Sequence, residues 1–381
     1  MDRRSFLAAL GCSAAAFPAA TPMAFASLPG DRRLVVVVLR GAMDGLDVLQ
    51  PYADPGLRAL RPTLSVGPEG GAHDLDGRFA LHDFGADLLP LWRAGELAFA
   101  HAVATPYRDG RSHFDGQDVL EAGTVGVPPS VGRAGWLNRL LGAMPGATGR
   151  DAIAVGRDDM LILRGPAPAG AWAPESRIAL DGATADLLRH VHHDDPLLRP
   201  VVEDALRLSA DGGPEQGGGA DRLFAFAAGQ LRGDARIAAL SLGGWDTHRG
   251  QGSALRRPMG QLSAGLLRLR DDLGPLWART MVLAVTEFGR TASENGNRGT
   301  DHGTGGAMML AGGALRGGRI WTDWPGLAEA DLLDRRDLRP TRDVRAYAAW
   351  ALRDLFGVDR SVLEGTVFPG LEMGEDPRLT L

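Results

Sequence analysis

Four polar, glycine-containing turns each follow a short apolar run, and their residue types are those of hydrolytic and metal chemistry. Arg40-Gly41-Ala42-Met43-Asp44-Gly45 follows Leu34 to Leu39, and Tyr107 to Asp115, which contains Ser112, follows Leu97 to Val103. Gly243-Gly244-Trp245-Asp246-Thr247-His248 follows Ile237 to Leu242, and Thr286-Glu287-Phe288-Gly289-Arg290 follows Met281 to Val285. A further pair, Asp301-His302, precedes the apolar run Ala307 to Leu310. Apolar runs of this length bounded by Gly, Asp or Pro read as buried parallel strands. Residues just beyond the carboxyl ends of parallel strands converge on one edge of the sheet, where α/β proteins bind ligands. One site is therefore expected to gather Asp44, Ser112, Asp246, His248, Glu287, Arg290 and His302. Carboxylates and imidazoles are hard or borderline ligands suited to Zn, Mn or Mg. Asp44, Asp246, His248, Glu287 and His302 form the expected divalent-metal set. Ser112 stands where a helix is predicted to start, so amide N–H groups and the helix dipole could stabilise an anion beside it. Taken alone, the same serine also reads as an ordinary N-cap.

The elements that must hold these turns alternate strand and helix. Leu255, Met259, Leu262, Leu266, Leu269, Leu273 and Leu276 recur at spacings of four and three, one apolar stripe packed on a sheet. Val344, Tyr347, Ala348, Ala351, Leu352 and Leu355 repeat the pattern near the C-terminus, with Asp343 as N-cap and Gly357 as the stop. Alternation of this kind predicts a three-layer α/β sandwich, a mostly parallel central sheet with helices on both faces. Residues from about 149 to 235 mix short apolar runs with Asp, Gly and Pro and are expected to form an irregular insertion in a single domain spanning 27–381. The cluster His190, His192, His193, Asp194 and Asp195 falls inside that stretch and reads as a solvated face. Residues 291–306 are polar and glycine-rich and should form a loop above the sheet. No glycine cluster has G-x-G-x-x-G spacing between a strand and a helix, so none reads as a dinucleotide fingerprint.

Composition narrows the chemistry. All 41 residues counted as Lys or Arg are arginine. Schiff-base, pyridoxal-phosphate, Walker-A and protein-kinase chemistries, each of which uses a lysine amine, are excluded. The one cysteine, Cys12, lies in an N-terminal segment with the order of an export signal: Arg3-Arg4, a weakly apolar run to Ala20, then Ala24-Phe25-Ala26 ahead of Ser27. Residues 1–26 are expected to be a twin-arginine (Tat) signal peptide, which leaves a mature chain with no thiolate ligand, in the periplasm or secreted. The run is too short and too interrupted to span a bilayer. A net charge of −6 argues against nucleic acid as a partner.

With the arginine pair, the segments LRGAMDGLD, TPYRDGRSHFDGQDVLEAG, GGWDTH, TEFGRT and GTDHGTGGAMMLAGG resemble, in this order, the exported bacterial family called domain of unknown function 1501. That family is similar to the alkaline phosphatase, sulfatase and cofactor-independent phosphoglycerate mutase superfamily, and the resemblance implies an alkaline-phosphatase-like fold. It also implies that Asp44 is the first metal-holding Asp, Ser112 the nucleophile, Asp246 and His248 an Asp and a His of one metal site, and His302 the final His before a strand. Thr286-Glu287-Phe288-Gly289-Arg290 stands where the superfamily has T-x-Asp-His-Gly. One cation is therefore expected rather than two, with Glu287 in place of the Asp and Arg290 supplying positive charge at the reacting centre. Two function classes stay open: a metal-dependent hydrolase of phosphate or sulfate esters acting on a small anionic substrate, and a non-catalytic member of the fold that binds an anion or a partner. A metal-free serine hydrolase is disfavoured because the chain has no G-x-S-x-G.

Overall fold

The computed structural model describes residues 30–64, 66–108, 110–129, 133–173, 182–193, 199, 202, 203, 206 and 219–381. The expected signal peptide, residues 1–26, lies outside the described residues. Nine strands form the main sheet: β1 (Arg33–Leu39), β2 (Leu97–Ala104), β3 (Ala152–Val155), β4 (Gly170–Trp172), β5 (Ile237–Leu242), β6 (Thr280–Val285), β7 (Gly306–Ala311), β8 (Arg319–Trp321) and β9 (Arg342–Asp343). Their order is β8-β2-β7-β6-β1-β5-β3-β4, with β9 also pairing with β2. β1 is central, its register matching Leu34 to Ile237 on one side and to Met281 on the other.

Strand periodicity explains the layers. Along β1, Leu34, Val36 and Val38 enter one apolar core and Val35, Val37 and Leu39 the other. Every residue of β1 is buried, as a strand covered on both faces requires. The first core is closed by the helices Trp136–Ala143 and Val344–Phe356, the second by Gly219–Arg232 and Arg256–Leu273. In Arg256–Leu273 the predicted stripe is the buried face. A side chain at Gly265 would place its Cβ 2.1 Å from the Phe224 ring, so glycine permits the close crossing of those two helices. Asp343 caps Val344–Phe356 by accepting from the Arg345 amide, and Gly357, at φ 68°, ends it. The architecture is thus the three-layer α/β sandwich with a mostly parallel sheet.

One expectation from the sequence changes. β7, whose apolar run read as a parallel strand, is antiparallel to both β2 and β6. The chain leaves β6 at its carboxyl edge and stays there through Gly305, with Arg290 bridged to His302, so it re-enters the sheet from that same edge without a crossover helix. The stretch 149–235 also supplies β3 and β4 at the sheet edge and the helix Gly219–Arg232, which packs on the second core. Among the described residues no helix is long and apolar enough to cross a membrane.

Candidate metal centre

The turn after β1 is pressed against the turn after β5. Gly41 has φ 114°, and a Cβ there would lie 2.6 Å from the Asp246 amide nitrogen, so this crossing needs glycine twice over. Asp44 caps the short helix Gly45–Val48. Its Oδ1 accepts from the amides of Leu46 and Asp47 at 3.1 and 3.2 Å and from Arg61 Nη2 at 3.0 Å. Its Oδ2 lies 3.0 Å from Arg61 Nη1 and accepts from Gln251 at 2.8 Å and Thr300 at 3.0 Å. Burial alone would raise the Asp44 pKa, but the Arg61 guanidinium and these donors hold it below the usual carboxylate range. Both oxygens are saturated and fully buried, and Asp44 has no lone pair left to offer a metal.

Asp246, at the end of β5, has the opposite surroundings. Its Oδ1 is 3.0 Å from His248 Nε2 and 3.3 Å from His302 Nε2, and its Oδ2 is 3.5 Å from His113 Nε2. The two imidazole nitrogens of His248 and His302 are themselves 3.0 Å apart. Three elements bring these groups together: the turn after β5, the loop before β7, and the first turn of the helix His113–Ala122.

The partners on the far side of each ring fix its tautomer. His113 Nδ1 faces Glu287 Oε1 at 2.8 Å, His248 Nδ1 faces Asp301 Oδ1 at 3.1 Å, and His302 Nδ1 faces the Arg111 carbonyl at 2.9 Å. All three partners are acceptors, so in the neutral rings Nδ1 carries the hydrogen and Nε2 presents a bare lone pair. Three lone pairs and a carboxylate then face one another. Among the described residues, His113 Nε2 is buried with no hydrogen-bond partner, and the donor that reaches Asp246 is Arg290. Such an array is repulsive until something positive enters it.

A cation fits the array. His113, Asp246 and His302 each offer a ligand atom within 4.8 Å of the others, and His248 adjoins two of them. Tetrahedral ligands at about 2.0–2.1 Å from Zn lie roughly 3.3 Å from one another, and the contacts to Asp246 span 3.0 to 3.5 Å. Imidazoles braced through Nδ1 by a carboxylate or carbonyl are the usual form of metal-binding histidine.

The residues behind the cluster hold it in place. Glu287, 0% exposed, accepts at Oε1 from His113, from the Gly41 amide at 2.9 Å and from Gln117 at 3.2 Å, and at Oε2 from Thr286 at 3.0 Å. Burial pushes its pKa up, but the hydrogen bond from His113 and the other donors outweigh that and keep it low. The hydrogen bond to Glu287 correspondingly raises the His113 pKa, while burial lowers that of His302. Arg290 is fully buried and donates to the carbonyls of Gly41, Ala42, Trp245 and Thr300 as well as to Asp246. It ties the turns after β1, β5 and β6 together. Burial would raise the Asp246 pKa, but Arg290 holds that carboxylate ionised.

Of the residues expected at one site, Asp246, His248 and His302 come together in the cluster that could hold a cation. Glu287 stands behind His113 instead of facing the centre, because its oxygens are spent on bracing, and the donors of Arg290 are committed to backbone carbonyls and Asp246. Asp44 belongs to the neighbouring buried network. Ser112 is the N-cap of His113–Ala122, its Oγ accepting from Asp115 at 3.4 Å, and it sits between Arg111, which braces His302, and His113. His113 is the member of this cluster absent from the sequence reading. His113 bonds to Glu287 from across the sheet edge, and the signal for it was its place next to Ser112 in RSHFD. His190, His192 and His193 lie at or beyond the end of the helix Gly182–Val191, outside this cluster.

No curated protein matches the chain in sequence. Among solved structures it is similar to lipoteichoic acid synthase LtaP from Listeria monocytogenes, at 9% identity and TM-score 0.40 over 93% of this chain and 79% of that one. It is also similar to the C-terminal periplasmic domain of EcEptC from Escherichia coli, at 10% identity and TM-score 0.39 over 91% and 88%. A third is a protein in the alkaline phosphatase superfamily from Vibrio parahaemolyticus, at 11% identity and TM-score 0.32 over 82% and 69%. A family model described as Protein of unknown function (DUF1501) matches residues 203–366.

Proposed function

We propose that the protein is an exported, divalent-metal-dependent hydrolase of phosphate or sulfate esters. The observation that carries this reading is the convergence of three imidazoles on Asp246: His113, His248 and His302 are each braced at Nδ1 by an acceptor, and each neutral ring so braced turns its Nε2 toward the carboxylate. His113, Asp246 and His302 would hold the cation, with His248 completing the set. A cation held there would supply charge stabilisation for the ester oxygen. Ser112 Oγ would attack phosphorus or sulfur, its proton passing to the departing alcohol, and water would then displace the serine, returning a proton to Ser112 Oγ and releasing phosphate or sulfate. The dipole of the helix that Ser112 caps would favour negative charge on the transferred group. Export rests on Arg3-Arg4 and the apolar run that follows.

Metal analysis of the natively exported protein, with turnover of p-nitrophenyl phosphate and sulfate by wild type, Ser112→Ala and His113→Ala, tests the reading. About one Zn or Mn per chain is expected, with turnover lost in both variants. A metal-free wild type with no thermal response to Zn, Mn or Mg would overturn it. The second reading, a non-catalytic member of the fold that binds an anion or a partner, is favoured by the cap hydrogen bond that Ser112 Oγ accepts from the Asp115 amide. Metal binding with no turnover in wild type would select it.

A further inference from the structure

The helix His113–Ala122 carries a second feature on the face that leads away from the metal centre. Phe114, Gln117, Asp118 and Glu121, at spacings of three, one and three, line a cleft of about 400 Å3. From Phe114 to Glu121 the helix rises roughly 10 Å, the length of one to two sugar rings. The cleft touches the metal centre's support directly. Gln117 donates to Glu287 at 3.2 Å and accepts from Arg40 at 2.7 Å, and Arg40 precedes the Gly41 that also donates to Glu287. Through Gln117 and Glu287 the cleft is thus linked to His113, one member of the cluster around Asp246.

The chemistry of the walls selects what the cleft binds. Arg40 pairs with Glu121 at 2.8 Å and Asp158 at 3.2 Å, Arg133 pairs with Asp118, and Arg164 pairs with Asp159. The guanidiniums and carboxylates thus neutralise one another, so the cleft offers many planar donors and acceptors with little net charge. A strongly charged ligand would have to break these pairs. A neutral polyol would hydrogen-bond to their outer edges and leave them intact. Phe114 is 83% exposed at the wall, an aromatic face with apolar surface uncovered. Densely hydroxylated edges and an apolar C–H face together describe a pyranose ring. We infer that this cleft binds the uncharged carbohydrate portion of the substrate, with Phe114 as its stacking platform. The inference rests on the proposed hydrolase reading only for the direction in which the ester points.

The test separates the two. Wild-type protein, with metal and after chelation, is applied to an array of neutral gluco-, galacto-, manno- and xylo-oligosaccharides, and affinity for the best binder is measured by calorimetry for wild type, Phe114→Ala and Phe114→Trp. Binding in both metal states is expected, weakened about tenfold in Phe114→Ala and retained in Phe114→Trp, with metal content unchanged in both variants. Phe114 is exposed, so neither variant should disturb folding. No binder in the array, or a binder indifferent to Phe114→Ala, overturns the carbohydrate site even if the protein holds metal and turns over esters. Binding by a protein that takes up no metal would keep the carbohydrate site and remove the hydrolase.

Discussion

Asp44 and Asp246 each follow a parallel strand of the same sheet, within five residues of its end, and they could hardly be surrounded more differently. Asp44 has a side chain 1% exposed, matched by Arg61, and six donor atoms reach its two oxygens. Asp246 has a side chain 46% exposed and faces the Nε2 atoms of three imidazoles whose Nδ1 atoms are held by acceptors. The first carboxylate is a structural anion with its countercharge built in. The second has part of its countercharge missing. Position at a strand end made both candidates; the polarity of the neighbouring atoms separates them.

The comparison predicts that the two aspartates fail in different ways. Asp44→Ala strands the buried Arg61 guanidinium, and removing one partner of a buried ion pair costs about 3–5 kcal/mol. Thermal or urea unfolding should show this loss equally with and without a chelator. A melting temperature within a degree or two of wild type would mean that Arg61 finds other partners. Asp246→Asn should instead leave the chelated protein near wild-type stability and abolish its response to metal. At free Zn about 1,000 times the dissociation constant, wild type gains about 4 kcal/mol through linkage. A variant that still gains stability from Zn would show that the imidazoles bind without the carboxylate.

Acid sharpens the same contrast, because a histidine packed under the Asp44 helix is satisfied in its neutral form. His101 donates from Nε2 to the carbonyls of Gly45 and Leu49 at 3.2 and 3.0 Å, and its Nδ1 accepts from Ala102. Burial lowers its pKa from 6.5 to about 4. The unfolded chain therefore takes up this proton first as pH falls, so the stability is present above pH 6.5 and is lost between pH 6.5 and about 4, about 3 kcal/mol in all. The Asp44 contribution, with its pKa lowered from 3.8, is lost only further down. Unfolding measured in chelator across this range should lose stability over the upper window in wild type and much less in His101→Asn. Equal slopes would remove His101 as the cause.

Much of the fold was legible from periodicity, since β1 and the stripe of Arg256–Leu273 are buried where their apolar residues recur. Direction in the sheet was not, because an apolar run reads alike both ways and β7 owes its reversal to the loop that feeds it. At the site, the sequence located Asp246, His248 and His302 but could not rank the carboxylates. Whether Asp44 or Glu287 has free oxygens depends on Arg61, 17 residues away, and on His113, 174 residues away. His113 was hidden by its neighbour, because Ser112 answers to an N-cap and a nucleophile while a histidine at the first helical position answers to no local rule.

Glu287 offers the finest cut between a structural carboxylate and a ligand-bearing one. Glu287→Gln keeps the shape and most of the hydrogen bonds. The amide oxygen can still accept from Gly41 and His113, and the amide nitrogen can donate to Thr286 Oγ1, which turns its own proton to the Leu39 carbonyl 2.8 Å away. What disappears is the negative charge behind His113 Nδ1, which makes Nε2 a better electron donor to a cation. Folding stability in chelator should therefore change by less than about 1 kcal/mol, within the range of volume-conserving changes. Metal affinity, measured by competition with a chromophoric chelator, should fall about 10- to 100-fold. An unchanged affinity would make Glu287 a packing residue and leave His113 to act unaided, whereas a loss of stability without a loss of affinity would place Glu287 with Asp44 on the structural side of the divide.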